Sequence, residues 1–564
     1  MKPADIVLTN ARVYTVDQSQ PWAQVVAVDG ESIVYVGTQK DPTWERFIGP
    51  ETSVSDLHGR LVLPGMIDSH THPRLVAMSS WRVTLPWTYD KTELFAALGQ
   101  YAAAHSRDEV PFIWANYYPT AMFGDEGPHK EDLDAYVSDR PVLIVEFTGH
   151  SCLVNSKMLE LMGVDKNTPD PEPGVAVFVR DAEGNATGWV KEGAWRYFAG
   201  RMYATLNWSP AQEVAPELLN GFLEFLSSRG VCALFDAGGS DGFMGSEDTY
   251  GALAELDRRG ELHMYCEGSN RFLGVDDLPA KIAELRNWQT RYGSRHISLR
   301  TMKFFLDGMT ETGTGAVLEP HSNDPGGTDY GPLYMSEDDL VACMLALNEE
   351  NLDLHIHVTG DRAFRTACNA VERAQQQLGD AWRVQVTLAH CMLVDPTDMP
   401  RVAKLGIIVN WSPHWSGGYF GTESAEWLGQ DRFDRMYQFN PIISTGGIVA
   451  LSSDVASQYE APRADPFLGL QVGHTRIDPW WPMGVREPAS GCLALSDLVK
   501  GCTLNGAIQL RRADTMGSIE VGKLANMVVL NKDLFSLSGD QIASAQPEAV
   551  LFEGRLVHGT LVLS

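Results

Sequence analysis

Two histidines one residue apart, His70 and His72, close an apolar run that begins Leu61-Val62-Leu63-Pro64-Gly65-Met66-Ile67. Side chains alternate with period 2 along a strand, so both imidazoles point the same way and can share one cation. The pair alone carries little weight. With 15 His in 564 residues, about 0.4 such pairs arise by chance, and His355 with His357 makes a second. Weight comes from other ionisable residues at the ends of apolar runs: Lys303 in Leu299-Arg300-Thr301-Met302-Lys303, then His357, His390, and Asp454 in Val449-Ala450-Leu451-Ser452-Ser453-Asp454.

Four imidazoles and a carboxylate suit a borderline-soft divalent cation such as zinc, with one position open for water or substrate. A Lys303 ammonium would repel such cations. Buried beside them its pKa falls, and the neutral amine can take up carbon dioxide as a carbamate bridging two metals. The alternative is an ammonium paired with a carboxylate such as Asp307, on the same side of the strand. Two cations would then clamp a metal-bound hydroxide and polarise a substrate carbonyl, while Asp454 accepts the proton of the attacking water and returns it to the leaving nitrogen. His357 is favoured over His355 because it precedes the loop Thr359-Gly360-Asp361. Asp361 is expected to cap a helix starting at Arg362, and Asp68 to orient a ligand or to hold a strand-end turn.

His150 stands in a loop after an apolar run and is a candidate for holding the substrate carbonyl. Trp81, Trp87, Tyr89, Trp114, Tyr117, Tyr118, Trp189, Trp411, Trp415, Tyr419 and Phe420 are available to line a pocket for an apolar, aromatic or quaternary-ammonium group. Ordinary packing accounts for most of them. Trp411 and Trp415 are the favoured substrate contacts.

These residues need elements that bring them together. Eight strand-like runs, each followed by a helix-length stretch, span 60–70, 231–236, 263–267, 299–306, 352–357, 386–390, 406–411 and 448–454. Such alternation predicts an α/β protein, a (β/α)8 TIM-like barrel whose active site lies at the C-terminal strand ends. The count treats about 73–226 as an insertion, although 111–117 and 141–147 also read as strands. Short strand signals and hairpin turns fill both chain ends, so 1–60 with 516–564 is expected to form one small accessory β-sandwich domain, and 61–515 the barrel.

Composition narrows the function classes. A net charge of -29 with no acidic tail argues against nucleic acid and anionic membrane as partners, leaving a small-molecule substrate and leaving self-association into a homo-oligomer open. No stretch approaches a membrane span, and the start lacks an apolar signal region, so a cytoplasmic protein is expected. Eight scattered cysteines without a Cys-x-x-Cys suggest neither a disulfide framework nor a thiolate zinc site.

The stretch Pro64-Gly65-Met66-Ile67-Asp68-Ser69-His70-Thr71-His72 resembles the opening signature of the amidohydrolase superfamily, and Gly517-Ser518-Ile519-Glu520-Val521-Gly522-Lys523-Leu524-Ala525 its usual return to the β domain. Gly149-His150-Ser151, Asn155-Ser156-Lys157, Lys303 with Asp307-Gly308, and His357-Val358-Thr359-Gly360-Asp361-Arg362-Ala363 are similar to the YtcJ-like branch, which includes N-substituted formamide deformylases. The resemblance implies His70, His72, His357 and His390 as metal ligands, Lys303 as bridging carbamate, and Asp454 as ligand and base. Asn526 departs from the usual Asp of the family, in the β domain. The implied activity is hydrolysis of a carbon-nitrogen bond, amide or N-formyl. Deamination, or ester, lactone or carbamate hydrolysis, would need the same site, and a non-catalytic binding or regulatory homologue is the rival of another class.

Overall fold

Alternation decides which residues of each middle run face inward. In 353–358 the apolar residues Leu354, Ile356 and Val358 join the main hydrophobic core, which leaves His355 and His357 on the opposite face. The computed structural model describes residues 2–561 apart from 80–82, 87, 124–126, 147–149, 172, 174–175, 193–197, 199–204, 206–215, 239–246, 418–421, 481–485 and 487. Of the aromatic pocket candidates, Trp81, Trp87, Tyr419 and Phe420 lie outside these described residues.

Eight parallel strands form one sheet in sequence order: β1 (Met66–Thr71), β2 (Val231–Asp236), β3 (Tyr265–Arg271), β4 (Ile297–Phe305), β5 (Asp353–Val358), β6 (Val386–His390), β7 (Ile408–Trp411) and β8 (Ile448–Leu451). Helices such as Leu278–Tyr292, Glu337–Glu349 and Asp361–Leu378 connect them. This is the (β/α)8 barrel that the alternation predicts. The register sets Lys303 beside His355, Phe305 beside His357, and Val358 beside His390. The ends of β8 and β1 are joined by Ser69 Oγ to Leu451 O at 2.6 Å, Asp454 N to His70 O at 2.7 Å and His72 N to Val455 O at 3.1 Å.

One predicted strand divides. Residues 60–70 were expected as a single run, but Leu61–Pro64 pairs with Met527–Leu530 in another sheet and only Met66–Thr71 enters the barrel. Gly65 is the joint: its amide donates to Asn526 O at 2.8 Å, and a Cβ there would lie 2.6 Å from Cys232 Sγ. Hydropathy cannot mark such a joint, because both halves are buried and apolar. The last run likewise ends early, at Leu451, so Asp454 stands on the loop beyond β8.

Strands from both chain ends share a six-stranded sheet, ordered Arg555–Gly559, Pro547–Phe552, Met527–Leu530, Leu61–Pro64, Arg12–Tyr14 and Trp22–Ala23. A four-stranded sheet, Ser32–Gly37, Val25–Asp29, Ile6–Thr9 and Ser53–Asp56, contributes Leu8, Val26 and Val28 to an apolar cluster with Val62, Met527 and Val529 of the first. The runs at 111–117 and 141–147 belong to a separate six-stranded mixed sheet, which holds Ile113–Tyr118 and Val142–Glu146 side by side. Among the described residues no helix is long and apolar enough to cross a membrane.

A charged cluster ties the terminal hairpin to the barrel. Glu553, in the turn before Arg555–Gly559, receives the Tyr265 hydroxyl and the Arg295 guanidinium, and His296 Nε2 lies 3.4 Å away. His296 Nδ1 is 2.7 Å from Asp257. The Glu553 bond raises the His296 pKa against an opposing burial effect, with Asp257 adding to the rise. An imidazole with a raised folded-state pKa contributes stability in full below its ordinary value near ~6.5, and loses it as pH climbs through the raised value. His296→Gln should therefore lower Tm more at pH 6 than at pH 9, by an amount equivalent to about 1 kcal/mol at the lower pH. Thermal unfolding of both proteins at the two pH values checks this, and an equal loss at both would refute it.

Candidate metal centre

The strand ends converge as barrel geometry requires. His70 Nε2 and His72 Nε2 lie 3.3 and 3.2 Å from Asp454 Oδ1, and His390 Nδ1 lies 3.4 Å from Asp454 Oδ2. One ligand atom from each of His70, His390 and Asp454 falls within 4.8 Å of the others. His355 Nε2 is 3.0 Å from His70 Nδ1, one layer below, while His357 Nε2 donates to Gly308 O at 3.0 Å. A carbonyl only accepts, so His357 carries its proton on Nε2 and keeps Nδ1 as a lone-pair donor. His390 and Asp454 have φ of +74° and +52°, a left-handed backbone that non-glycine residues rarely adopt and that recurs at functional sites.

Burial sets the charges. It holds the pKa values of His70, His355 and His357 well below the imidazole range and that of His390 at about 3. These rings are neutral, as metal ligation demands. Burial pushes Asp454 upward, but the neighbouring His390, His72 and Lys303 more than offset it and hold its pKa below the ordinary carboxylate value; burial lowers His72 as well, but its bond to the same carboxylate more than offsets that, so the His72 pKa is raised. Lys303 is 1% exposed, and its pKa is lowered to about 7, by burial first and by the Arg271 charge against the pull of Asp454. Lys303 Nζ and His390 Nδ1 are buried without a hydrogen-bond partner among the described residues. Orphaned donor atoms are rare in a finished interior, and neutral imidazoles around an ionised carboxylate fit a divalent cation.

Several expectations are corrected. Asp307 does not pair with Lys303: its carboxylate accepts from the amides of Thr359, Gly360 and Ala316 and from Thr359 Oγ1, at 2.8 to 3.1 Å. Asp361 does not cap its helix. The helix Asp361–Leu378 starts one residue earlier, with Gly360 as N-cap, and Asp361 Oδ1 accepts from Leu318 N at 2.8 Å. A Cβ at Gly360 would lie 2.0 Å from Ala316 O, so the close approach of loop 306–316 fixes where the helix begins. Asp68 takes Ser453 N at 2.9 Å and Ser453 Oγ at 2.5 Å, and so holds the turn that presents Asp454.

Trp415 stacks on His390, with ring centroids 5.0 Å apart and planes 7° from parallel. Trp411 is buried against Phe439 in the apolar core, on the far side of its strand. The His150 ring is 5.4 Å from that of His357. His150 Nδ1 contacts Glu192 Oε2 at 2.9 Å, and Glu192 Oε1 accepts from Thr312 Oγ1 at 3.1 Å and Thr314 Oγ1 at 2.5 Å. Glu192 therefore links the segment carrying His150 to the loop after β4. The sequence reading missed it, since a single acid after a strand carries no pattern. His355 was passed over for a better reason: its parity equals that of His357, and only depth in the barrel separates them.

With this geometry in view, the relatives are informative. A model of the amidohydrolase family matches residues 53–558. Putative amidohydrolase YtcJ of Bacillus subtilis (strain 168) is 25% identical over 559 residues, covering 97% of this chain and 98% of its own. N-substituted formamide deformylase of Arthrobacter pascens is 24% identical over 576 residues, covering 98% of each. The crystal structure of an uncharacterized metal-dependent hydrolase from Pyrococcus furiosus shares the fold, with a TM-score of 0.67, 21% identity, and coverage of 94% of this chain and 99% of that one. The strand-end constellation and the match along nearly all of its length make this chain a member of the amidohydrolase family, with YtcJ-like proteins among its relatives.

Proposed function

We propose that the protein is a metal-dependent hydrolase that cleaves a carbon-nitrogen bond, amide or N-formyl, of a small molecule with an apolar substituent. The meeting of His70, His72, His390 and Asp454 at one rim carries this reading. The deformylase relative supports the choice of bond. His70, His72, His357, His390 and Asp454 would hold one divalent cation, zinc, or two where Lys303 is carboxylated. Lys303 is suited to bridge two: with its pKa lowered to about 7 by burial, its unprotonated amine forms a C–N bond to carbon dioxide and releases a proton, giving a carbamate. Bound there, a divalent cation acidifies water and polarises a carbonyl.

The chain's own groups supply the rest. Asp454, held by the His70 carbonyl at its amide, takes the proton of the attacking water on a carboxylate oxygen and passes it to the leaving nitrogen. His150 holds the substrate carbonyl. The exposed part of the Trp415 face forms an apolar wall beside His390.

Purified protein should hydrolyse members of a panel of N-alkyl formamides and amides, read as released formate or amine. Ammonia from aminopurines, or acid from esters and lactones only, would move the assignment to another bond, and no turnover on any of them would favour a binding protein. Chelation should abolish turnover and added zinc restore it; turnover indifferent to chelator sinks the metal reading. Asp454→Asn should lower kcat by about 10³-fold. For the carbonyl contact, Glu192→Ala should raise KM by about 10-fold and Glu192→Gln by less, since Gln still accepts one hydrogen bond. Unchanged KM in His150→Ala and Glu192→Ala together would remove His150 from the substrate site.

A further inference from the structure

Asp236 ends β2 and is 1% exposed, and nothing in the chemistry above uses it. Its Oδ1 accepts from Gly238 N at 3.0 Å, and the Gly238 carbonyl accepts from His72 Nδ1 at 2.7 Å. Gly238 has φ +85°, a conformation glycine reaches without the penalty a Cβ would add. The turn is tied to β1 as well, by Ala237 N to Thr71 O at 2.9 Å. Because a carbonyl cannot donate, this contact requires a His72 proton on Nδ1, and Nε2, 3.2 Å from Asp454 Oδ1, is the nitrogen left facing the carboxylate and able to take a cation in place of a proton.

The second oxygen, Oδ2, is buried and accepts no hydrogen bond of good geometry among the described residues. The Tyr250 hydroxyl donates to Ser269 O at 2.7 Å and also lies close enough to Asp236 to offset part of the upward push that burial gives its pKa. A turn alone would be served by any acceptor at Oδ1. A buried carboxylate with one such oxygen is a costly way to hold an amide, unless a cation answers its charge. The buried Arg74 guanidinium is one cation that acts on it, and an ion held by His72, the other neighbour that does so, would add to that answer.

We propose that Asp236 is a positioning residue for the metal centre: through the Gly238 turn it fixes the tautomer and direction of His72, and its charge favours the cation that His72 binds. This rests on the metal reading of the site. Groups of this kind behind a ligating histidine change metal affinity by about 10- to 100-fold.

The test uses the full-length protein and zinc or cobalt(II) alone, without substrate. Zinc Kd is measured by competition with a chromophoric chelator, and the cobalt(II) d–d absorption is recorded, for wild type, Asp236→Asn and Asp236→Ala, with Tm to confirm folding. Asp236→Asn keeps the shape and the Gly238 bond but loses the charge, so its Kd should weaken by about 10-fold, and that of Asp236→Ala by about 100-fold with a shifted cobalt band. If Asp236→Ala does not fold, Asp236→Asn decides. A folded Asp236→Asn with wild-type Kd and an unchanged cobalt spectrum overturns the proposal and leaves the metal site standing. Wild-type protein that binds neither metal overturns both.

Discussion

The site depends on how the barrel closes. Strand β8 ends at Leu451, three residues before Asp454, and the two meet β1 through loop contacts instead of a continued ladder. The Asp454 amide donates to His70 O, the His72 amide to Val455 O, and Ser453 is held by Asp68. One set of bonds therefore seals the last seam of the barrel and sets the first and last ligands against each other. Stability and function are not separable here: loosening the seam would part Asp454 from both histidines. The positive φ of Asp454 follows from the same demand, since the chain must turn inward sharply after β8 to bring a short side chain within reach of β1.

Around that seam the interior is electrostatically incomplete. Burial strips charge from four imidazoles and lowers Lys303 toward neutrality, while Asp454 stays ionised. In a low dielectric, groups arranged this way neither satisfy one another nor escape to water, and left to themselves they cost stability. A multivalent cation resolves the conflict in one step, because neutral nitrogens become ligands and the carboxylate gains its counter-charge. Under the proposed function, the polarity of the barrel axis is a preparation for binding.

The barrel was legible because its signal is local and repeated: eight apolar runs with helix-length connections each announce themselves through alternation. Ligand candidates were legible for the same reason, since a strand's parity predicts which side chains share a face. What escaped depended on distance in three dimensions. Gly65 divides two buried strands of equal hydropathy, and only contact with Cys232 and Asn526 shows why. Trp411 and Trp415 looked alike as aromatics after a strand, yet one turns into the core and the other stacks on His390. Asp307 was read as a partner for Lys303 by parity, while three backbone amides from other segments had the stronger claim. Glu192 and Asp236 act through bonds to loops, and loop geometry leaves no period to read.

The layering has a consequence for specificity. The proposed ligands stand on the barrel strands or one to three residues beyond their ends, where the sheet sets their positions, whereas His150 and Glu192 come from the mixed sheet inserted after β1, and Thr312 and Thr314 from the loop after β4. Elements of the second kind can change length and sequence without moving the first. Glu192 is the contact at which the two kinds are locked together, buried and bonded on three sides. One barrel architecture can serve many chemistries, so what surrounds this link, and not the strand-end residues alone, is where a choice of substrate can vary.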